Sequence, residues 1–150
     1  MFSGMNVLLG IGNIHRGDDG VGPYVARRVH MSGWKAIDCG TSPENFTSVV
    51  REARPELLVL VDAALMGCSA GEFRVVPPER IEGVATSTHR LPFSLLISYL
   101  SHVVERIHFI GIEPLSIKDG GGLSSEVREG AHSLLKLLER GEIGRIPALE

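Results

Sequence analysis

Three side chains that could share a metal ion or a proton stand in three separate parts of this sequence: Asp19, Asp62 and His89. Asp19 lies in the glycine-rich stretch 17–22, Asp62 follows the apolar run 57–61, and His89 comes shortly before a predicted helix. Two carboxylates and one imidazole suit a divalent metal of borderline softness, such as Ni²⁺, Zn²⁺ or Mn²⁺. Three protein ligands would leave coordination positions open, as exchangeable or catalytic metal sites require.

The elements that must position these residues follow from the hydrophobic pattern. Short apolar runs predict strands, and apolar residues at helical spacing predict helices between most of them. The strand at 73–76 is more polar, is followed by two prolines, and comes after a loop too short for a crossover helix, so we expect an antiparallel edge strand. The predicted strands cover 7–11, 34–38, 57–61, 73–76 and 107–112, and the predicted helices cover about 23–31, 43–54, 92–100 and 125–138.

This order, β-α-β-α-β-β-α-β-α, predicts a three-layer α/β/α sandwich in one domain over residues 1–150. Its sheet would be mostly parallel and five-stranded, with one antiparallel strand. In such sheets, ligands bind beyond the carboxyl ends of the strands where the strand order reverses. A strand order that starts 2-1-3 brings Asp19 and Asp62 into one crevice, because the third strand is expected to end directly at Asp62. His89 can reach the same edge.

Each candidate also has a purely structural interpretation. An aspartate in a glycine-rich loop or at the end of a strand is often a turn residue or a helix cap, and we expect that role for Asp18. A single histidine is more often structural than a metal ligand. We interpret the other histidines as structural or surface residues: His15, His30, His102, His108 and His132.

Bulk composition excludes several classes of protein. A net charge of −3 over 150 residues gives no basic footprint for nucleic acid. No apolar run approaches the roughly 18 residues of a membrane span, and the N-terminus does not resemble a signal peptide. We therefore predict a cytoplasmic protein in which Cys39 and Cys68 are reduced thiols.

We also expect the chain after Gly141 to be loosely ordered.

A nucleotide-binding protein is the main alternative. Gly10 and Gly12 begin a dinucleotide-binding fingerprint, but His15 stands in place of its third glycine, and nearby acids would repel a pyrophosphate. Asp38, at the end of the second strand, could act as the ribose-binding acid. The sequence contains neither a G-x-S-x-G elbow nor an H-E-x-x-H motif. A non-catalytic nucleotide- or nickel-binding module of Rossmann-like fold therefore remains open.

An ordered set of motifs resembles the hydrogenase maturation endopeptidases, in particular their hydrogenase-3 type branch. The resemblance covers nearly the whole chain, and the order of the motifs is more specific than any one of them. The motifs are Gly10-Ile11-Gly12-Asn13 with 17–22, Asp38-Cys39-Gly40 with Ser42-Pro43-Glu44-Asn45, Val61-Asp62-Ala63, Thr88-His89 with Pro92, and Gly111-Ile112-Glu113-Pro114.

The resemblance implies an endopeptidase, often classed as aspartic-type, that removes the C-terminal extension of a nickel–iron hydrogenase large-subunit precursor after nickel insertion. It implies Asp19, Asp62 and His89 as ligands of a nickel ion that arrives with the substrate, with Zn²⁺ or Cd²⁺ as possible surrogates. Asp19 or Asp62 could also serve as the base. Asp38 matches an acid near the site. Glu113 stands where an amide is expected, and Arg90 follows the histidine, so both could alter the charge of the cleft.

Overall fold

The structure is a computed structural model that describes residues 4–87 and 92–150. His89 and Arg90 lie outside the described residues, so the histidine part of the predicted site is not located. The strands are β1 (Asn6–Gly10), β2 (Trp34–Asp38), β3 (Leu57–Leu65), β4 (Phe73–Val76), β5 (Ala85–Thr86) and β6 (Arg106–Ile112). The helices are α1 (Val21–Ala26), α2 (Thr47–Ala53), α3 (Phe93–Leu100) and α4 (Ser125–Glu139).

The strands of the described chain form one mostly parallel sheet. Its order is β2-β1-β3-β6-β4, and β4 is the antiparallel strand at one edge. The predicted α/β class, the parallel core of the sheet, the antiparallel edge strand and the 2-1-3 start are thus confirmed. A sixth strand, β5, was not predicted: its two residues pair with the last residues of β3, where Ala64 faces Thr86 and Leu65 faces Ala85. So short a strand leaves no periodic signal in the sequence.

Helices cover both faces of the sheet, which produces two separate apolar cores. In β3, Leu57, Val59 and Val61 pack into the core shared with α1 and α4. Leu58 and Leu60 pack into the opposite core, which includes Phe93 and Leu96 of α3. Residues 57–64 are all buried. This two-sided burial explains why the run is apolar without alternation.

The first helix begins two residues earlier than predicted, directly after the 3-10 turn Gly17–Gly20, and it ends at Ala26 instead of near Met31. Close backbone packing explains the glycine at position 22: a Cβ there would collide with the backbone of Ile11 and Val61. The start of the last helix is as predicted. Ser124 is its N-cap, and its Oγ accepts a hydrogen bond from the Val127 amide at 3.3 Å.

The prediction of a loosely ordered tail after Gly141 was wrong. The Val75 amide donates to the Pro147 carbonyl at 2.9 Å, and the Leu149 amide donates to the Val75 carbonyl at 2.9 Å. Ile146 and Leu149 are buried, each in a different core. The outer edge of β4 offers unpaired backbone groups, and the tail pairs with them. None of the described helices combines the length and the hydropathy needed to cross a membrane.

Candidate functional site

A cleft of about 190 Å³ opens at the carboxyl edge of the sheet. Its walls come from the loop after β1, the end of β3, β5 and the loop after β6. This is the crevice between the first and third strands where the topology predicts a ligand site. The lining residues are Arg16, Asp19, Ala63, Ala64, Leu65, Ala85, Thr86, Ser87, Pro114 and Ile117.

Asp62 lies inside β3, directly before the first β3 residue that lines the cleft. The expectation that β3 ends at Asp62 was wrong, because the strand continues to Leu65 and pairs there with β5. Side chains alternate along a strand, so Asp62 is on the same face as Leu58 and Leu60. That is the face covered by α3, the helix that follows the histidine segment.

The carboxylate of Asp62 is fully buried, and the hydrogen bonds of ordinary geometry that it accepts reach only one of its two oxygens. Its Oδ2 accepts hydrogen bonds from the Ser87 amide at 3.2 Å and from the Ser87 Oγ at 2.8 Å. No hydrogen bond of ordinary geometry reaches the buried Oδ1 from the described residues. Such an oxygen is costly to bury unless a cation or a donor approaches it.

Burial raises the pKa of Asp62 well above its usual value of 3.8. The hydrogen bonds from Ser87 oppose this shift, and the negative charge of Asp19 adds to it. The charge of Asp19 thus acts on Asp62, which agrees with the 2-1-3 strand order that directs both residues to one edge of the sheet. A buried acid with a raised pKa beside a second acid is a common feature of functional sites.

Asp19 reaches the cleft from the 3-10 turn Gly17–Gly20 and is 5% exposed. Its Oδ2 accepts a hydrogen bond from the Asn13 amide at 3.1 Å. The adjacent Asp18 points away into a network of its own. Two neighbouring acids therefore have different functions, and only Asp19 lines the cleft.

Asp18 fastens the loop after β6 to the loop after β1, which confirms the structural role expected for it. Its carboxylate accepts hydrogen bonds from the amides of Leu115, Ser116 and Ser124 at 2.8, 3.1 and 2.7 Å. The Ser124 Oγ donates a further bond at 2.9 Å. These contacts hold two walls of the cleft together.

Asp38 stands at the end of β2, outside the lining of this cleft. Its Oδ2 accepts from the Arg27 Nε at 3.1 Å and from the Arg27 Nη2 at 2.8 Å, and its Oδ1 accepts from the Gly40 amide at 3.0 Å. A neighbouring depression of about 320 Å³ is lined by Asp38 and by Asn13. The Asn13 amide also donates to Asp19. The loop that contains Asn13 therefore lies between Asp38 and Asp19.

Glu113 supports the loop after β3. Its Oε1 accepts from the Met66 amide at 2.8 Å and from the Cys68 amide at 3.1 Å. It is 7% exposed and does not line the cleft. The expectation that Glu113 alters the charge of the cleft is not supported, because its carboxylate is used by the loop backbone instead.

The cysteines do not provide a nucleophile for this cleft. Burial, with smaller effects from Asp38 and Glu44, raises the pKa of the Cys39 thiol to about 12. Cys68 is a free, half-buried thiol, and neither sulfur lines the cleft. Within 4–87 and 92–150, no three His, Cys, Asp or Glu side chains group together as metal ligands.

Two residues at the site were missed by sequence reasoning: Ser87, which bonds to Asp62, and Arg16, which lines the cleft. Arg16 Nε is 3.3 Å from Asp119 Oδ1 in an exposed ion pair. The hydroxyl-rich run 86–88 directly before His89 was the available signal for Ser87.

Known proteins are similar to this chain in sequence and in architecture. A family model for HycI, the hydrogenase maturation protease, matches residues 21–140. The hydrogenase 3 maturation protease of Escherichia coli K12 is 34% identical over 141 residues, which is 91% of this chain and 90% of that protein. A crystal structure of the hydrogenase 3 maturation protease superposes with a TM-score of 0.89 at 32% identity and covers 97% of both chains.

An archaeal protein shows the same likeness. The nickel–iron hydrogenase maturation protease HycI of Thermococcus kodakarensis KOD1 gives a TM-score of 0.81 at 33% identity, over 93% of this chain and 92% of that one. Family model, sequence and fold agree over nearly the whole length. The chain is therefore a member of the hydrogenase maturation protease family.

Proposed function

We propose that this protein removes the C-terminal extension of a nickel–iron hydrogenase large-subunit precursor after nickel insertion, and that Asp19, Asp62 and His89 recognise the substrate's nickel. The observation that carries the proposal is the buried Oδ1 of Asp62, which no hydrogen bond of ordinary geometry reaches from the described residues and which is subject to the charge of a second carboxylate, Asp19. Family membership supports the cleavage reaction, and the acid pair supports recognition of a cation.

A divalent cation would resolve the electrostatic conflict in the cleft. Burial and the charge of Asp19 both disfavour the ionised form of Asp62. A cation held between the carboxylates would reverse both effects, because it stabilises the charged form of each acid. Neutral ligands or anions would not do so. The pair is therefore suited to a positively charged feature of the substrate.

Ser87 determines which oxygen of Asp62 is available. Its amide and hydroxyl both donate to Oδ2, so Oδ1 is left as the ligand atom. Donors of this kind orient metal-binding carboxylates and increase their affinity for the metal.

The position of Ser87 also supports a role for His89. Two residues of extended chain span at most about 7 Å, so the Cα of His89 cannot lie farther than that from the Cα of Ser87. Since the Ser87 side chain touches Asp62, the length of the intervening chain allows an imidazole two residues later to bind the same metal.

The chemistry proposed is hydrolysis by a metal-assisted, aspartate-dependent mechanism. The substrate's nickel would hold the precursor so that the scissile carbonyl lies in the cleft. Asp19 or Asp62 would take a proton from the attacking water as its oxygen bonds to the carbonyl carbon. The same proton would then pass to the amine as the carbon–nitrogen bond breaks. Because its pKa is raised, Asp62 holds a proton more tightly than an ordinary aspartate does.

Cleavage of nickel-loaded and nickel-free precursor, followed by intact mass, tests the proposal. Wild type should remove a C-terminal peptide only from the nickel-loaded form, and Asp62→Asn should remove none. Glu72→Gln is the control, because Glu72 is an exposed residue that pairs with Arg74 at 3.6 Å and does not line the cleft. Equal cleavage of both precursors would refute nickel recognition. Nickel binding without cleavage would instead support a nickel-binding module.

A further inference from the structure

Three exposed apolar side chains stand around the acid cleft, and they are named here the cleft rim: Leu65, Leu115 and Ile117. They are 53%, 58% and 39% exposed. Leu65 is the only exposed residue of β3. Leu65 and Ile117 line the cleft, and Leu115 directly follows Pro114, which also lines it. Large apolar side chains left exposed beside a site often mark a surface that binds a partner.

The cleft rim is held in place by the fold. The Leu115 and Ser116 amides donate to Asp18, and the Asp18 amide donates back to the Ser116 carbonyl at 2.9 Å. Leu65 is fixed from the opposite side, because it pairs with Ala85 of β5. The three side chains are therefore exposed on a pre-organised backbone, which lowers the entropy lost when a partner binds.

We propose that the cleft rim binds apolar side chains of the hydrogenase large-subunit precursor next to the bond that is cut, in an extended segment laid along β5. This inference rests on the proposed function. It adds a docking surface that acts through apolar contact and is separate from the recognition of nickel.

The shape and composition of the cleft favour an extended peptide as the occupant. The small residues Ala63, Ala64 and Ala85 line the cleft, and their short side chains leave room for side chains of the substrate. Among the described strands, β5 pairs with β3 alone, so its other edge has backbone groups available for an added strand. An extended segment presents every second side chain to the same side.

Charge argues against a membrane as the occupant. Asp19 lines the cleft, the buried Asp62 directly precedes a lining residue, and the exposed Asp119 on the loop that carries Ile117 balances the charge of Arg16. An anionic lipid surface would be repelled by these carboxylates. A peptide with uncharged apolar residues near its nickel site would meet no such repulsion.

Steady-state cleavage of nickel-loaded precursor by single variants tests this surface. Leu65→Ser, Leu115→Ser and Ile117→Ser should each raise KM about tenfold, because each loses much of one buried apolar contact. Their kcat should stay close to that of wild type, and their affinity for Cd²⁺ should not change. The matched control is Leu95→Ser, since Leu95 is 58% exposed on α3 and does not line the cleft.

The outcomes separate the two proposals. An unchanged KM in all three cleft-rim variants, with wild type active, would overturn the docking surface and leave the proposed function intact. An equal rise in KM for Leu95→Ser would also overturn it. A wild-type protein that cuts no precursor would overturn the proposed function and the docking surface with it. Loss of a dimer in the variants, with KM unchanged, would assign the surface to a second copy of the chain.

Discussion

Ser87 donates two hydrogen bonds to the same oxygen of Asp62, from its Oγ at 2.8 Å and from its amide at 3.2 Å. This contact joins the unpredicted strand β5 to the centre of the sheet. It also brings the chain that leads to His89 alongside the buried acid. One serine thus orients the carboxylate and counteracts part of the rise in its pKa.

Ser87→Ala should weaken metal binding without abolishing it. The Oγ donor is lost, so the pKa of Asp62 rises further and the carboxylate is less restrained, whereas the amide donor remains. Loss of a donor that orients a metal ligand typically costs 10- to 100-fold in affinity, and we expect about 10-fold here. Isothermal titration with Cd²⁺ or Ni²⁺ at neutral pH measures the effect. Ser94→Ala, which loses an exposed bond to Glu82, should bind like wild type; equal affinity in both variants would exclude this role for Ser87.

The raised pKa of Asp62 predicts an unusual dependence of stability on pH. In the metal-free protein, Asp62 binds its proton more tightly when folded than when unfolded. The tighter binding of this proton stabilises the folded state fully below the usual pKa of 3.8, where Asp62 is protonated in both states. This stabilisation is lost as the pH rises through the higher pKa of the folded state. The slope can approach about 1.4 kcal/mol per pH unit within that window.

Asp62→Asn should remove this dependence of stability on pH. The variant should melt at a higher temperature than wild type near pH 7 in EDTA, because its folding neither buries a charge nor takes up a proton at position 62. The difference should shrink as the pH falls toward 4 and Asp62 in the wild type becomes protonated. Melting curves at a series of pH values measure this. Parallel curves for the two proteins would show that Asp62 does not titrate differently on folding.

Asp18→Ala should destabilise the protein strongly although Asp18 does not line the cleft. It removes the acceptor of four hydrogen bonds, so the amides of Leu115, Ser116 and Ser124 and the Ser124 hydroxyl lose their carboxylate partner. Bonds to a charged group contribute about 1.5–3 kcal/mol each, so a loss of about 3 kcal/mol or more in unfolding free energy is expected. Urea unfolding measures it. Asp119→Ala is the control, because Asp119 is 90% exposed and should change stability little.

Sequence reasoning located what depends on regular patterns. The run 57–61 is apolar because β3 is covered on both faces, and that pattern predicted a central strand. The order of strands and helices then placed Asp19 and Asp62 in one crevice by a general rule for parallel sheets. Ser87 could not be found this way, since its role depends on a two-residue strand that exists only through pairing with the end of β3. The functions of Asp18 and Glu113 likewise depend on distant loops whose backbone amides they bind.

Deletion of the last residues tests whether the packing of the tail after Gly141 stabilises the protein. Deletion of 146–150 removes Ile146 and Leu149, which are buried in opposite cores, and exposes the outer edge of β4. Two lost apolar anchors of this size should lower the unfolding free energy by roughly 3 kcal/mol or more. Urea unfolding measures the loss, and Glu150→Ala, at an exposed position, is the matched control. A truncated protein as stable as wild type would show that these contacts add nothing in solution, as the sequence pattern alone had suggested.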